Sequence, residues 1–149
     1  MQQSFKLVID FLLAVMCSYI LASLFHTQII LYELSKIGVV INFQTRLSTS
    51  VDDMLGLLPA YGSAIAVALL LGFLVVKLIS VLSKRQVNYL YPIAGAVAIL
   101  SALMIMHPIL DITLIAGARE PLGIALQGLA GLFGGWAFMH QRNPKVHKH

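Results

Sequence analysis

Charged side chains divide this sequence into long apolar blocks. Four stretches carry no Asp, Glu, Lys or Arg, and they cover residues 11–32, 54–76, 86–110 and 121–141. A helix rises about 1.5 Å per residue and the hydrocarbon core of a bilayer is about 30 Å thick, so each stretch is long enough to cross it once. None of the four offers the polar face that a helix at a water-exposed surface needs. The pattern therefore predicts four transmembrane helices.

Prolines and charges place the ends of these helices. We predict transmembrane helices at about 6–31, 59–82, 88–107 and 121–140, followed by a flexible cytoplasmic tail at 141–149. Pro59 and Pro121 suit the first turns of the second and fourth helices, where a missing N–H is no loss. The predicted fold class is an all-α integral membrane protein, a single domain of four helices in an antiparallel bundle.

The segment at residues 33–58 is the largest piece outside the predicted helices. Apolar and polar residues alternate from Val39 to Ser48, which favours extended chain, either lying over the bundle or pairing with another chain. Ser50 and Asp53 then have the spacing of a capping box ahead of a short amphipathic turn. We expect a segment of mixed extended and amphipathic character on the outer side of the membrane.

The composition supports a membrane location. Hydrophobic residues make up 59% of the chain and charged residues 11%, whereas soluble domains carry roughly 25% charge. The single cysteine, Cys17, excludes an internal disulfide and a paired-cysteine redox centre. No basic stripe is interleaved with aromatic residues, so nucleic acid is not an expected partner.

The distribution of cations predicts the orientation. If the N-terminus is cytoplasmic, seven of the ten Lys and Arg residues lie on the cytoplasmic side, as the positive-inside rule requires. These are Lys6, Lys77, Lys84, Arg85, Arg142, Lys145 and Lys148. We therefore expect both termini to be cytoplasmic and the protein to reside in a bacterial inner membrane.

Small residues recur at every fourth position of the predicted helices. Lipid tails are as apolar as the helices, so helices associate in a bilayer chiefly where small side chains let them approach closely. The predicted packing positions are Ala60, Ala64, Ala68, Gly72, Ala94, Ala98, Ala102, Gly123, Gln127, Gly131 and Gly135. Gly131 and Gly135 form a GxxxG step, and we expect Gln127 to hydrogen-bond across helices.

Ionisable residues at membrane depth are the first candidates for chemistry. Asp10 lies about one turn inside the predicted cytoplasmic boundary, where Lys77 and His140 of other helices fall at similar depth. Together they would form a polar or proton site. The alternative is that Asp10 and Lys6, one turn apart, both reach the head-group layer.

Two histidines and an aspartate suggest a second, metal-based chemistry. His26 and His107 fall at the outer ends of separate helices, and Asp111 follows four residues after His107. Paired histidines can ligate haem b, and the added carboxylate would suit a divalent metal. The alternative is that both histidines are solvated by interfacial water, and no cofactor is predicted beyond this haem alternative.

Four aromatic residues lie at or towards the predicted helix ends. They are Tyr61, Tyr89, Tyr91 and Trp136. Such positions are typical of the aromatic belt at a membrane–water interface, and they predict no ligand.

These observations favour an interaction or accessory subunit of a membrane complex, with the lipid bilayer, other membrane subunits or further copies of the chain as partners. One alternative is a small oligomeric transporter or channel with a path lined by Asp10, Ser18, His26 and Gln127. A second is a haem- or quinone-binding subunit that uses His26 and His107. Enzymatic activity is not expected, because Ser, His and acidic groups do not converge at one predicted depth.

Overall fold

The computed structural model describes residues 2–85, 87–110 and 121–142, and it describes side chains at 5–85, 87–105 and 121–142. Within these ranges the chain forms helices and no strand, so the all-α prediction is confirmed for the described residues. The helices are α1 (Gln2–Lys36), α2 (Phe43–Gly56), α3 (Ser63–Ser83), α4 (Leu90–Leu110) and α5 (Pro121–Arg142), with a π-helical segment at Leu58–Gly62 between α2 and α3.

Three helical stretches are long and apolar enough to cross a membrane. They are Phe5–Lys36, Leu58–Ser83 and Pro121–Arg142, whereas the apolar part of α4 with described side chains, Leu90–Ile105, is shorter. Helix α4 continues to Leu110 and so has 21 residues, about 31 Å of helix. The architecture, with three long apolar helices and one shorter one, is compatible with a membrane helical bundle.

The segment between α1 and α3 differs from its prediction. Residues 43–48, expected to be extended, form the first turns of α2, so that prediction is wrong. The helix begins after Asn42, whose side chain accepts a hydrogen bond from the backbone N–H of Thr45 at 2.8 Å. Ser50 and Asp53 do not cap a helix start, because both lie inside α2. The alternation was misleading because the N-cap at Asn42 lies within it, and a capped helix start outweighs a short period-two pattern.

The passage from α2 into α3 is nearly continuous. Leu57 keeps helical backbone angles, and the π-helical turn that follows contains Pro59 in its first turn. Proline lacks the N–H that an α-helix would use here, and such a residue commonly marks a kink or a widened turn. The predicted place of Pro59 at a helix start is confirmed, and the wide turn contains Tyr61.

Contacts between the helices define a row. Helix α5 packs against α1 on one side and α4 on the other, and α3 packs against α4. The contact between α1 and α3 is smaller, and α2 rests mainly on α1.

Four aromatic rings join all the long helices at one level. Phe73 of α3 stacks on Phe138 of α5 with ring centroids 4.5 Å apart. Tyr91 of α4 meets Phe138 edge-on at 4.9 Å, and Phe11 of α1 meets Phe73 at 6.2 Å. Offset and edge-to-face pairs of this kind add about 0.5–1.5 kcal/mol each beyond their buried area. This cluster closes the bundle at the end where α1 begins.

Candidate functional site

Helix α1 turns a polar row inward. Asp10, Ala14, Ser18, Ala22 and His26, spaced four residues apart, are all buried. Residues at i and i+4 share one face of a helix, so the five side chains form a continuous row. The opposite face of α1 is apolar and exposed. The row is therefore turned away from the exposed face of α1, and Ser18 and Ala22 contact α5.

The face of α5 that receives this row is built from glycine. A Cβ added at Gly134 would overlap the hydroxyl of Ser18, and one at Gly131 would overlap the carbonyl oxygen of Gly95 in α4. A Cβ at Gly135 would likewise overlap the carbonyl oxygen of Tyr91. Backbone therefore meets backbone on the α4 side, and α5 is closely packed against both neighbours.

Gln127 joins three segments through its side-chain amide. Its side chain is fully buried, and its Oε1 accepts a hydrogen bond from the hydroxyl of Tyr61 at 2.6 Å. Its Nε2 donates to the backbone carbonyl of Ala22 in α1 at 3.1 Å. The amide is thus bonded across helices, which is the structural role that the sequence predicted for it.

Polar contacts also attach α2 to the C-terminal half of α1. The Thr27 hydroxyl donates to Asp53 Oδ2 at 2.8 Å, and the Tyr19 hydroxyl donates to the carbonyl of Met54. Gln28 accepts from Arg46 at 2.8 Å and donates to Ser50 at 3.4 Å.

These contacts extend the buried polar groups into one cluster, which we call the polar seam. Its members are Ser18, Tyr19, Ser23, His26, Thr27, Asp53, Tyr61 and Gln127.

Three buried polar atoms of the seam have no hydrogen-bond partner among the described residues. They are the hydroxyls of Ser18 and Ser23 and Nδ1 of His26. A buried polar group without a partner costs roughly 1–3 kcal/mol, so each such group calls for an explanation. The expectation that His26 is solvated at a helix end is wrong, since its side chain is only 5% exposed. The seam therefore has unused hydrogen-bonding capacity on α1.

The predicted site of Asp10, Lys77 and His140 is not assembled. Asp10 is buried, whereas Lys77 is exposed and the exposed His140 stacks on Trp136 with ring centroids 5.4 Å apart. Among the described side chains the one ion pair joins Lys36 to Glu33, so Asp10 is paired neither with Lys77 nor with Lys6.

The haem and metal prediction falls partly outside the described residues. The side chain of His107 and the whole of Asp111 are not described, and neither is the tail from residue 143. Of the residues that are described, no group of three or more His, Cys, Asp or Glu side chains could hold a metal ion. His26 faces the seam, and the ligand set proposed for it stays a prediction.

Two of the four aromatic residues assigned to an interfacial belt lie in the core. Tyr61 and Tyr91 are each 4% exposed, whereas Tyr89 and Trp136 are exposed. The belt prediction is therefore wrong for the first two. Sequence reasoning also missed Tyr19, Ser23 and Thr27, although their spacing of four repeats that of the neighbouring row on α1 and could have revealed them.

A large groove lies between α3 and α4. Its volume is about 840 Å³, and nearly all its lining atoms are apolar. The small residues Ala64, Ala68, Gly72, Ala94, Ala98 and Ala102 form its floor. The two helices are in close contact at Gly72, where an added Cβ would lie 2.9 Å from the Ala98 methyl. We call this feature the α3–α4 groove.

The chain matches no family model, no curated protein and no solved structure.

Proposed function

We propose that this chain is an interaction subunit of a membrane assembly and that its copies associate through the α3–α4 groove. The observation that carries the proposal is the groove itself, an apolar channel of about 840 Å³ whose floor consists of small residues. Small residues at a surface gain nothing against lipid, whereas they let another helix approach closely.

The dimensions of the groove suit a helix. Its lining runs from Ser63 to Ile79 on α3 and from Leu90 to Ile105 on α4. At about 1.5 Å per residue this is roughly 24 Å, most of the 30 Å hydrocarbon thickness. A helix laid in the groove would contact its floor over most of the membrane.

A second copy of the chain is the occupant that the groove fits best. Val67, Leu71 and Val75 form a ridge along one rim and are 58%, 59% and 55% exposed. Every copy in the membrane has the same orientation, so a second copy brings this ridge to the right depth. A two-fold axis along the membrane normal would seat each ridge in the other copy's groove at once, as an isologous interface requires.

Oligomeric mass tests the association directly. In a mild detergent and in nanodiscs we expect a particle of twice the 16.3 kDa chain mass. Val97→Trp places an indole at the groove, where Val97 is 55% exposed, and should give monomer. Leu12→Trp is the matched control, because Leu12 is 54% exposed on α1 and does not line the groove.

Three outcomes would contradict the proposal. A wild-type chain that is monomeric in both environments would exclude self-association. A Val97→Trp variant that stays dimeric would exclude the groove as the interface. Monomers that retain stoichiometric phospholipid, lost in Val97→Trp, would show that lipid occupies the groove instead.

We also propose four membrane crossings with both termini in the cytoplasm of a bacterial cell and the protein in the inner membrane. The positive-inside distribution of Lys and Arg supports this orientation. In a Cys17→Ser background, Thr45→Cys should react with an impermeant thiol reagent from outside, whereas Gln86→Cys and Val146→Cys should not. External labelling of Val146→Cys would contradict the even number of crossings.

A transporter or channel is the second candidate, favoured by one observation. Asp10, Ser18, His26 and Gln127, expected to line a path, are all buried at the interface of α1 with its neighbours. Gly134 of α5 is in close contact with Ser18 of α1, so there is little space between the two helices. Conduction would therefore require α1 and α5 to separate. Ion or proton flux in proteoliposomes that is lost in Gln127→Ala would support this candidate, and flux indistinguishable from empty vesicles would exclude it.

A further inference from the structure

Helix α2 has three distinct sides. The side towards α1 is polar, and it carries Arg46, Ser50 and Asp53, each hydrogen-bonded to a side chain of α1. This arrangement reverses that of a helix on a water-soluble domain, where the apolar side faces the protein. Met54 packs against the core, and the outward sides of α2 carry its other large hydrophobic residues.

One outward side is an apolar stripe. Phe43, Leu47, Val51 and Leu55 follow one another at spacing four and are 81%, 58%, 49% and 69% exposed. Leu58, at 47% exposure, continues the stripe and is also the first residue of the candidate membrane span Leu58–Ser83. The stripe therefore leads without a break into a surface that has the composition of a lipid-facing helix.

The other outward side is polar. Gln44, Ser48 and Asp52, each one position after a member of the stripe, are all exposed. Apolar and polar strips side by side on one exposed helix are typical of a helix that lies in the membrane–water interface, with one strip in the acyl-chain boundary and the other in water.

We infer that α2 is an interfacial helix whose stripe, Phe43, Leu47, Val51 and Leu55, inserts into the lipid leaflet at the end of the bundle where α1 leaves the membrane. The occupant of this face is phospholipid acyl chain. The inference rests on the membrane location of the chain and is independent of the dimer, since a monomer would insert α2 equally.

The charged residues of α2 indicate how the helix attaches to the membrane. Arg46 is the only Lys or Arg in α2, and it is bonded to Gln28 on the side facing α1. The exposed sides carry Asp52 and no cation. Attraction to anionic head groups requires basic residues near the surface, so α2 inserts through its apolar area alone. Insertion should be the same in zwitterionic and in anionic membranes.

Tryptophan quenching in vesicles tests the insertion. In a Trp136→Phe background, Leu47→Trp and Ser48→Trp place the reporter on adjacent residues of the two outward sides. The full chain is reconstituted in phosphatidylcholine vesicles that contain acyl-brominated phosphatidylcholine. We expect bromine quenching of Leu47→Trp to exceed that of Ser48→Trp by about twofold or more, because an interfacial helix immerses one side only. Aqueous acrylamide should quench the two variants in the opposite order.

Each contrary outcome overturns the inference. Equal bromine quenching of the two variants would mean that the two outward sides of α2 do not differ in their contact with lipid. If neither bromine nor acrylamide quenches Leu47→Trp, the stripe is covered by protein and not by lipid. Bromine quenching that appears only when phosphatidylglycerol is added would show attachment by charge. Circular dichroism of both variants should match the parent, since both positions are exposed.

Discussion

The two interfaces of α4 differ although small residues line both. On the side of α5, Gly95 and Gly131 bring backbone against backbone, and Gly135 lies against the Tyr91 carbonyl. On the side of α3 the small residues are mostly alanine, and an open groove remains. Glycine has no Cβ, so helices can touch through their main chains, whereas each alanine methyl holds the neighbouring helix further away. A small-residue pattern therefore permits contact between helices, and glycine determines whether their backbones meet.

The closed interface can be broken most severely at Gly131. The Cβ of Gly131→Leu would overlap the backbone of Gly95, which cannot move aside as a side chain can. We expect a loss of about 3 kcal/mol or more in the free energy of unfolding, above the usual range for overpacking. Thermal unfolding in detergent measures this loss of stability, and the fraction of protein that stays monodisperse is the signal that is recorded.

Gly128→Ala on the same helix is the control for Gly131→Leu. A Cβ at Gly128 would meet the Leu100 side chain at 3.3 Å, and that side chain can shift. Its cost should stay below about 1 kcal/mol. If Gly131→Leu unfolds at the wild-type temperature, the backbone contact is not what closes this interface.

The hydrogen bonds of Gln127 give the next largest effect on the closed side. Gln127→Leu deprives the buried Tyr61 hydroxyl of its acceptor, which should destabilise the fold by about 1–2 kcal/mol. Tyr61→Phe leaves Gln127 bonded to Ala22 and should cost about 0.6 kcal/mol. Because the two residues share one bond, the double variant should be less destabilised than the sum of the single variants. Additive losses would show that the bond contributes nothing.

The smallest effect is expected at Gly72, in the open interface between α3 and α4. Gly72→Ala would place a methyl 2.9 Å from the methyl of Ala98 and 3.0 Å from the carbonyl oxygen of Ala94, so α3 must shift outward. The better helix propensity of alanine, up to about 1 kcal/mol, offsets this strain, and we expect a net loss of about 0.5 kcal/mol. Adding Ala98→Gly should relieve the steric conflict. A double variant less stable than both single variants would contradict this geometry.

The parts of the fold that sequence could predict are those determined by local pattern. Long charge-free stretches become helices wherever they occur, and Pro59 and Pro121 mark helix starts because a first-turn proline loses no hydrogen bond. The buried row on α1 also follows from its spacing. Alternation between Val39 and Ser48 failed, since α2 is stabilised by the Asn42 cap and by side chains of α1 that are distant in sequence.

The candidate site was less predictable. Gln127 could be identified from the sequence as an amide that bonds across helices. The sequence predicts its partner Tyr61 as an interfacial aromatic residue, because the wide turn at Leu58–Gly62 cannot be predicted from it. The sequence predicts Asp53 as a loop or cap residue. Its position beside Thr27 results from the packing of α2 on α1. Both depend on contacts between segments far apart in the chain, which no local pattern encodes.

The apolar helices, their small-residue faces and the polar row of α1 follow from the sequence alone, because composition and a spacing of four act within one helix. Packing between helices is what brings the glycines of α5 against α1 and α4 and leaves a groove beside the alanines of α3 and α4. It also turns the polar side of α2 inward. Which face meets which neighbour depends on the order of the helices in space, and in lipid that order is determined by close packing and paired polar groups, which exist only once the helices are together.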